Sequence, residues 1–540
     1  MFSLRHLLLL SAASLGLFLP ASVRADEKPF RQTIDQEIRA AWQRENVKPA
    51  PRSSDAEFLR RIYLDLVGNI PTYEETQQFL QDADEHKRAK LIDRLLDDPR
   101  FARQQAAYWD LTIFGRSPPG GEVTRRRDVF QKWLEDKFAK NEPYDVWVKE
   151  ILNAEGSTAE VGPAMFYAQF RNQPEEAAMA VSRLFLGTQL QCARCHDHPF
   201  DKWQQLDFYG MAGFFARLVF VESGNANQRV MLVGEKRTGE VMFSGPVTEQ
   251  VPGKKGTPVK AKFLGGTPLD EPAIPAGFKD FEIKGAKAIP KPDFSRKEKL
   301  AEWVVAPENP YFAKAVANRV WAQYMGRGLV HLVDNLSDKN PPSHPELFDL
   351  LSQELKAKKY DLKWLVRELV NSETYQLSGR GESTDAAPRW FERARVRPLT
   401  AEEIMASLRQ ATLHDLTVKP GDKTPNVGSE YFMRYFGEPL NGRGDFQASL
   451  NEHLFLNNST NLRQMIQAKK GNLADMLATS KEPVEERVER LFLTALNRQP
   501  RAVEKERFAA HLNTAGQKPE VLVEEAIWAL LNSAEFRFNH

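Results

Sequence analysis

At four points in this chain a hydroxyl residue stands three positions ahead of a glutamate, with an apolar run of helical period behind it. They are Ser54-Asp55-Ala56-Glu57, Thr72-Tyr73-Glu74-Glu75, Ser295-Arg296-Lys297-Glu298 and Thr400-Ala401-Glu402-Glu403. This is the capping box, in which hydroxyl and carboxylate each satisfy a backbone N–H left unpaired by the first helical turn. Behind the boxes Phe58, Ile62, Tyr63 and Leu66 recur at helical spacing, as do Leu91 with Leu95, and Phe130, Trp133, Leu134 and Phe138. Two boxes fall in the first half and two in the second, and between them the composition changes. From Val221 to Pro292, Gly, Pro, Val and Lys dominate, with alternating runs such as "RVMLV", "GEVMFSG" and "AKFLGG" that read as short strands separated by turns. The predicted fold is mainly α: two helical domains, 26–220 and 293–540, with a small β-rich insert, 221–292, between them.

Residues 1–25 read as a signal peptide. Arg5 and His6 precede an apolar run from Leu7 to Leu19, and Val23 and Ala25 supply the small-residue cleavage pattern. No later stretch reaches the 18 or more uninterrupted apolar residues that a spanning helix needs, so no integral membrane segment is expected after cleavage. The mature protein is expected to be exported, periplasmic or extracellular. With 74 basic and 73 acidic residues, two of the basic ones in the leader, neither nucleic acid nor an anionic membrane surface is suggested as a partner. The chain has only 2 cysteines, so disulfides are not what holds it together.

Both cysteines lie in "QLQCARCHDHPFDKW", Gln189 to Trp203. Cys192-Ala193-Arg194-Cys195-His196 has the spacing of covalent c-type haem attachment. Two thiols one helical turn apart reach two vinyl groups on one macrocycle edge, and His196, four residues after Cys192, falls beneath the ring as an axial ligand. The stretch from Glu175 to Leu190 has helical period, and Pro199 pushes His198 out of helical geometry, which places the motif at a helix end.

Other chemistries compete for the same residues. In a thioredoxin-type disulfide the reactive thiol gains from a helix N-terminus, whereas this motif follows its helix. Zinc could use Cys192, Cys195 and His196 or His198 with a distant fourth ligand, although one Cys-x-x-Cys is half of the usual site. His196-Asp197-His198 with Asp201 would suit a hydrolytic metal if the segment were a strand, where alternate residues share a face. A local disulfide, with His196 merely hydrogen-bonded, is the chemically inert reading. If haem is present, Met211, Met165, Met179, His331, His344 and His453 are candidate sixth ligands, as is an open position. Met211, on one face with Phe208 and Phe215, reads as core. Arg319, Trp321 and Arg327 could frame a pocket but fit a helix with a buried tryptophan and a Gly326 stop. His344 is read as a capping residue, and Arg443-Gly444-Asp445 is assigned no function. Trp364 through "LVNSETYQL" is weakly echoed by Trp528 through "LLNSAEFRF", which shared capping chemistry explains as well as duplication does.

"FLGTQLQCARCHDHPFDKWQQLDFYGMAGFFAR" resembles the signature of the planctomycete-specific cytochrome-like domain, Domain of Unknown Function 1549. "NPYFAKAVANRVWAQYMGRGLVHLVDNLSDKNPPSHPELFDLL", with "YDLKWLVRELVNSETYQLS", "RPLTAEEI" and "AIWALLNSAEFRFNH", resembles its companion, Domain of Unknown Function 1553. The resemblance implies a bacterial surface or periplasmic protein, puts haem attachment on Cys192, Cys195 and His196, and adds His198, Pro199, Phe200, Asp201 and Trp203 to the signature. The resulting expectation is an exported haem c protein in electron transfer or in an oxidative step on extracellular material, with an unidentified redox partner or substrate. His198, Asp197, Asp201 and Trp203 would surround the site. The competing expectations are a non-haem surface binding or scaffold protein, with zinc or a disulfide at the cysteines, and a hydrolase using the His-x-His segment.

Overall fold

The computed structural model describes residues 28–116, 127–223, 229–245, 256–282, 288–381, 388–417 and 457–540. The predicted leader, His453 and the Arg443-Gly444-Asp445 tripeptide lie outside them. In the first half the helices are α1 (Phe30–Arg44), α2 (Asp55–Val67), α3 (Tyr73–Gln81), α4 (Lys87–Leu96), α5 (Pro99–Phe114), α6 (Asp128–Ala139), α7 (Tyr144–Leu152), α8 (Met165–Ala168), α9 (Pro174–Leu186) and α10 (Gln205–Gly213). Beyond the strands come α11 (Arg296–Val305), α12 (Phe312–Met325), α13 (Pro345–Ala357), α14 (Leu362–Asn371), α15 (Ala401–Thr412), α16 (Thr460–Ile466), α17 (Leu473–Thr479), α18 (Val484–Ala495), α19 (Ala502–Leu512), α20 (Pro519–Leu531) and α21 (Ala534–Arg537). The expectation of a mainly α protein with little sheet is borne out.

Two of the four boxes close fully. Thr72 and Glu75 exchange hydrogen bonds of 2.8 and 3.1 Å, and Thr400 and Glu403 do the same at 2.8 and 3.2 Å. At the other two only the hydroxyl caps: Ser54 accepts from the Glu57 amide and Ser295 from that of Glu298. The Glu57 carboxylate is drawn to Arg61, Ser378 and Gly379, a stronger set of donors than one backbone N–H.

The strands are β1 (Gly156–Ser157), β2 (Leu218–Ser223), β3 (Val230–Glu235), β4 (Val241–Phe243), β5 (Thr257–Val259), β6 (Arg397–Pro398) and β7 (Phe538–Asn539). β2 and β3 pair antiparallel with Leu218 opposite Glu235, and β1 adds to the other edge of β3. "RVMLV" and "GEVMFSG" supply β3 and β4, while "AKFLGG" forms only a single bridge, Lys262 to Pro268.

Packing does not follow chain order. Helices α11 to α14 lie on the same apolar core as the first-half helices: α11 on α7, α12 on α9, and α14 on α1 and α4. Aromatic rings stitch the halves together, with Tyr144 at 4.6 Å from Trp147 and 5.2 Å from Phe312, and Trp109 at 5.3 Å from Trp147. Each such fully buried ring contributes roughly 1.5–3 kcal/mol through apolar burial. A second core, from Leu399 to Phe536, takes only Leu64 and Ile70 from the first half.

Candidate functional site

Helix α9 stops at Gly187, whose φ of 64° and ψ of 21° lie in the left-handed region. Thr188 N–H then bonds back to Ser182 C=O at 3.0 Å, satisfying a carbonyl of the last turn. A Cβ on Gly187 would also stand 2.8 Å from Leu336 Cδ1, so space as well as φ requires glycine there. The helix therefore ends before the cysteines, not at them. The motif sits instead on a separate 3-10 turn, Gln191–Arg194, in which the Cys195 and His196 amides point at Cys192 C=O, at 3.3 and 3.4 Å.

Cys192 lies within this turn and Cys195 directly follows it as its C-cap. Ala193 is fully buried and pins the turn to the core, while Cys192, Arg194, Cys195 and His196 are exposed. Both cysteines are free thiols. The turn is tied down from two sides. Arg194 pairs with Glu176 on α9 at 2.9 Å, and its C=O accepts from Tyr209 Oη at 3.2 Å and Gln205 Nε2 at 3.4 Å, both on α10. Burial pushes the Tyr209 phenol up, and the negative charge of Glu175 adds to the shift.

The residues after the motif hold its loop. Asp197 Oδ1 accepts from Gln205 N–H at 3.0 Å, so its carboxylate caps α10. Asp207 accepts from Gln204 N–H at 2.9 Å and pairs with Lys262 at 2.8 Å. The positive end of α10 is thus occupied by carboxylates and not by a thiolate. Asp201 accepts from the Lys202 amide at 2.8 Å, and the His198 amide donates to Trp203 C=O at 2.8 Å, closing the loop. Trp203 is buried against Tyr311, ring centroids 6.2 Å apart, and its Nε1 has no hydrogen-bond partner among the described residues. Residues 196 and 197 form a bend and 198 is irregular, which does not give the alternate-facing pair a strand would.

The two imidazoles differ in their hydrogen bonds. His196 Nδ1 lies 2.7 Å from Asp197 C=O, which can only accept, so Nδ1 carries the proton and Nε2 keeps its lone pair. His198 Nδ1 instead accepts from Phe200 N–H at 3.3 Å, which places the ring proton on Nε2. His196 therefore makes the Nδ1–H to carbonyl hydrogen bond that metal-ligating histidines make, and His198 has the opposite tautomer. The donor set of Cys192, Cys195 and His196 fits covalent haem attachment. Among the described residues no group of three or more His, Cys, Asp or Glu is placed to hold a metal ion.

Of the proposed sixth ligands, Met211 and Met165 are buried in the first core and Met179 packs against it. Arg319 is buried and paired with Asp334, and Trp321 is buried against Phe391, as the helical reading expects. Tyr209, Gln205 and Glu176 support the turn but were not anticipated. Gln204 and Asp207 act as a capping box without the usual hydroxyl, which hid the start of α10.

Fold and site together define a mainly helical protein that displays one Cys-x-x-Cys-His turn on its surface. Residues 33–219 match the family model described as PSCyt2, protein of unknown function (DUF1549), and residues 296–431 match PSD1, protein of unknown function (DUF1553). The two matches fall in that order along the chain, as the sequence resemblance implies. No curated protein and no solved structure matches it significantly. Among the described residues no helix is long and apolar enough to cross a membrane.

Proposed function

We propose that the 192–196 turn is the attachment site of a haem c and that the protein serves as an exported redox protein, in electron transfer or in an oxidative step on extracellular material. The observation that carries this reading is the pairing of two exposed free thiols, one on a 3-10 turn and one at its end, with an imidazole whose Nε2 lone pair is left open. Cys192 and Cys195 would hold the group by adding their S–H bonds across its two vinyl groups, and His196 Nε2 would be the proximal ligand. Bound haem supplies one-electron chemistry, and its exposure tunes the potential. The chain's own part is to fix geometry: Asp197 C=O orients His196, Arg194 locks the turn onto α9 and α10, and Trp203 closes the loop behind it. Phe200 is 73% exposed on that loop, an apolar side chain available to cover a macrocycle face.

Haem staining after denaturing electrophoresis tests the covalent bond. Wild-type chain coexpressed with haem-maturation machinery should stain and Cys192→Ser/Cys195→Ser should not; equal staining would refute attachment there. Stoichiometric zinc with no haem would support the non-haem binding or scaffold reading instead.

A further inference from the structure

We propose that Arg327, Arg389 and Arg395 form a second site, remote in sequence from the cysteines, that binds a doubly charged tetrahedral oxyanion of the phosphate type. Three separate segments bring these residues together. Arg327 follows Gly326, the left-handed stop of α12 at φ 74°. The stem of Arg395 lies across that glycine, close enough that a Cβ on Gly326 would stand 2.6 Å from Arg395 Cδ. Arg389 belongs to the 3-10 turn Pro388–Trp390, its guanidinium 5.4 Å over the Trp390 ring.

None of the three guanidiniums has a hydrogen-bond or ion-pair partner among the described residues. Their arginine neighbours are all committed: Arg61 to Glu57, Arg393 to Glu392, and Arg397 to Asp65 and Glu403. The charges of Arg389 and Arg395 both reach Arg327. Burial and then the charges of Arg395 and Arg389 hold Arg327 below its ordinary value, and no carboxylate among the described residues opposes them. Half-buried His331 feels Arg327 and Arg395 in the same sense. Two ring nitrogens point to a missing partner as well. His331 Nδ1 is buried without one, and so is Nε2 of His344, which is 3% exposed and 5.5 Å from Trp390.

The bland reading is that these arginines complement the C-terminus of α12. A helix end carries only about half a negative charge, and none of the three donates to its carbonyls, so it does not balance three cations. A single carboxylate would leave two charges uncompensated. A dianionic phosphate or sulfate offers several oxygens to the guanidinium forks and neutralises most of the cluster.

The test uses full-length mature protein in an anion-poor buffer, titrated with inorganic phosphate, with glucose 6-phosphate, and with sodium chloride at matched ionic strength. Phosphate or its ester should bind in calorimetry and raise the unfolding temperature where chloride does not. Binding by the ester alone would identify the ligand as an esterified phosphate. Arg395→Gln and Arg327→Gln should each weaken binding at least tenfold. In anion-poor buffer both variants should unfold at or above the wild-type temperature, because removing one charge relieves repulsion. The more exposed Arg389→Gln is a second reporter with the same expectation. Equal responses to phosphate, its ester and chloride, wild-type affinity in all three variants, or variants that are destabilised without anion would each overturn the site.

Discussion

His196 Nδ1 lies 2.7 Å from the carbonyl oxygen of Asp197, and this contact decides which nitrogen of that ring is left open to a ligand. Two residues on, His198 spends the corresponding nitrogen as an acceptor for Phe200 N–H. In haem-loaded protein His196→Ala should shift the Soret and visible bands through loss of the proximal ligand, while His198→Ala should leave them in place. An absorption spectrum of each variant checks this. A shift with His198→Ala alone would reverse the assignment.

The two cores meet through Arg60 on α2. It is buried and donates to Ala495 C=O at 3.2 Å, Asn497 Oδ1 at 2.9 Å and Phe536 C=O at 2.8 Å. Burial holds its pKa down to about 10, and no carboxylate among the described residues hydrogen-bonds to it. Arg60→Leu would orphan these acceptors at a cost of about 3 kcal/mol. Hydrogen exchange should then rise first in α18, α20 and α21, ahead of α5 and α7; a uniform rise would argue against a coupling role.

His344 gives stability a pH dependence of defined sign. Burial, with the charges of Arg44 and Arg389, lowers its folded pKa to about 4, against 6.5 unfolded. Between these values the unfolded chain binds the proton and the folded chain does not, so stability is present above pH 6.5 and is lost as pH falls towards 4. The contribution is on the order of 3 kcal/mol. Thermal melts of wild type and His344→Gln should converge across this window. Parallel curves would show that His344 does not titrate in this way.

Helix starts and the β-rich centre were legible because they depend on local chemistry. Ser372 and Ser533, the two echoed Asn-Ser endings, do the same work: each Oγ donates to the carbonyl three residues back, at 2.6 and 2.7 Å, and accepts from the amide three residues on. The echo is thus accounted for by capping. What was not legible depends on distant partners. The pairing of Arg397 with Asn539 in β6 and β7, the shared core of α7 and α11, and the diversion of Glu57 from its box to Ser378 all join residues far apart in the chain. At the site, the residue types and the helix preceding them were readable. The stop at Gly187, which puts Cys192 on a separate 3-10 turn and Cys195 at its end, was missed because the apolar period runs on through Leu190.

The central claim is covalent haem at Cys192 and Cys195, and the pyridine haemochrome spectrum of mature protein coexpressed with haem-maturation machinery measures it most directly. The account predicts a c-type spectrum with one haem per chain in the wild type and none in Cys192→Ser/Cys195→Ser. Wild-type protein with no haemochrome and both thiols still free to titrate would contradict it.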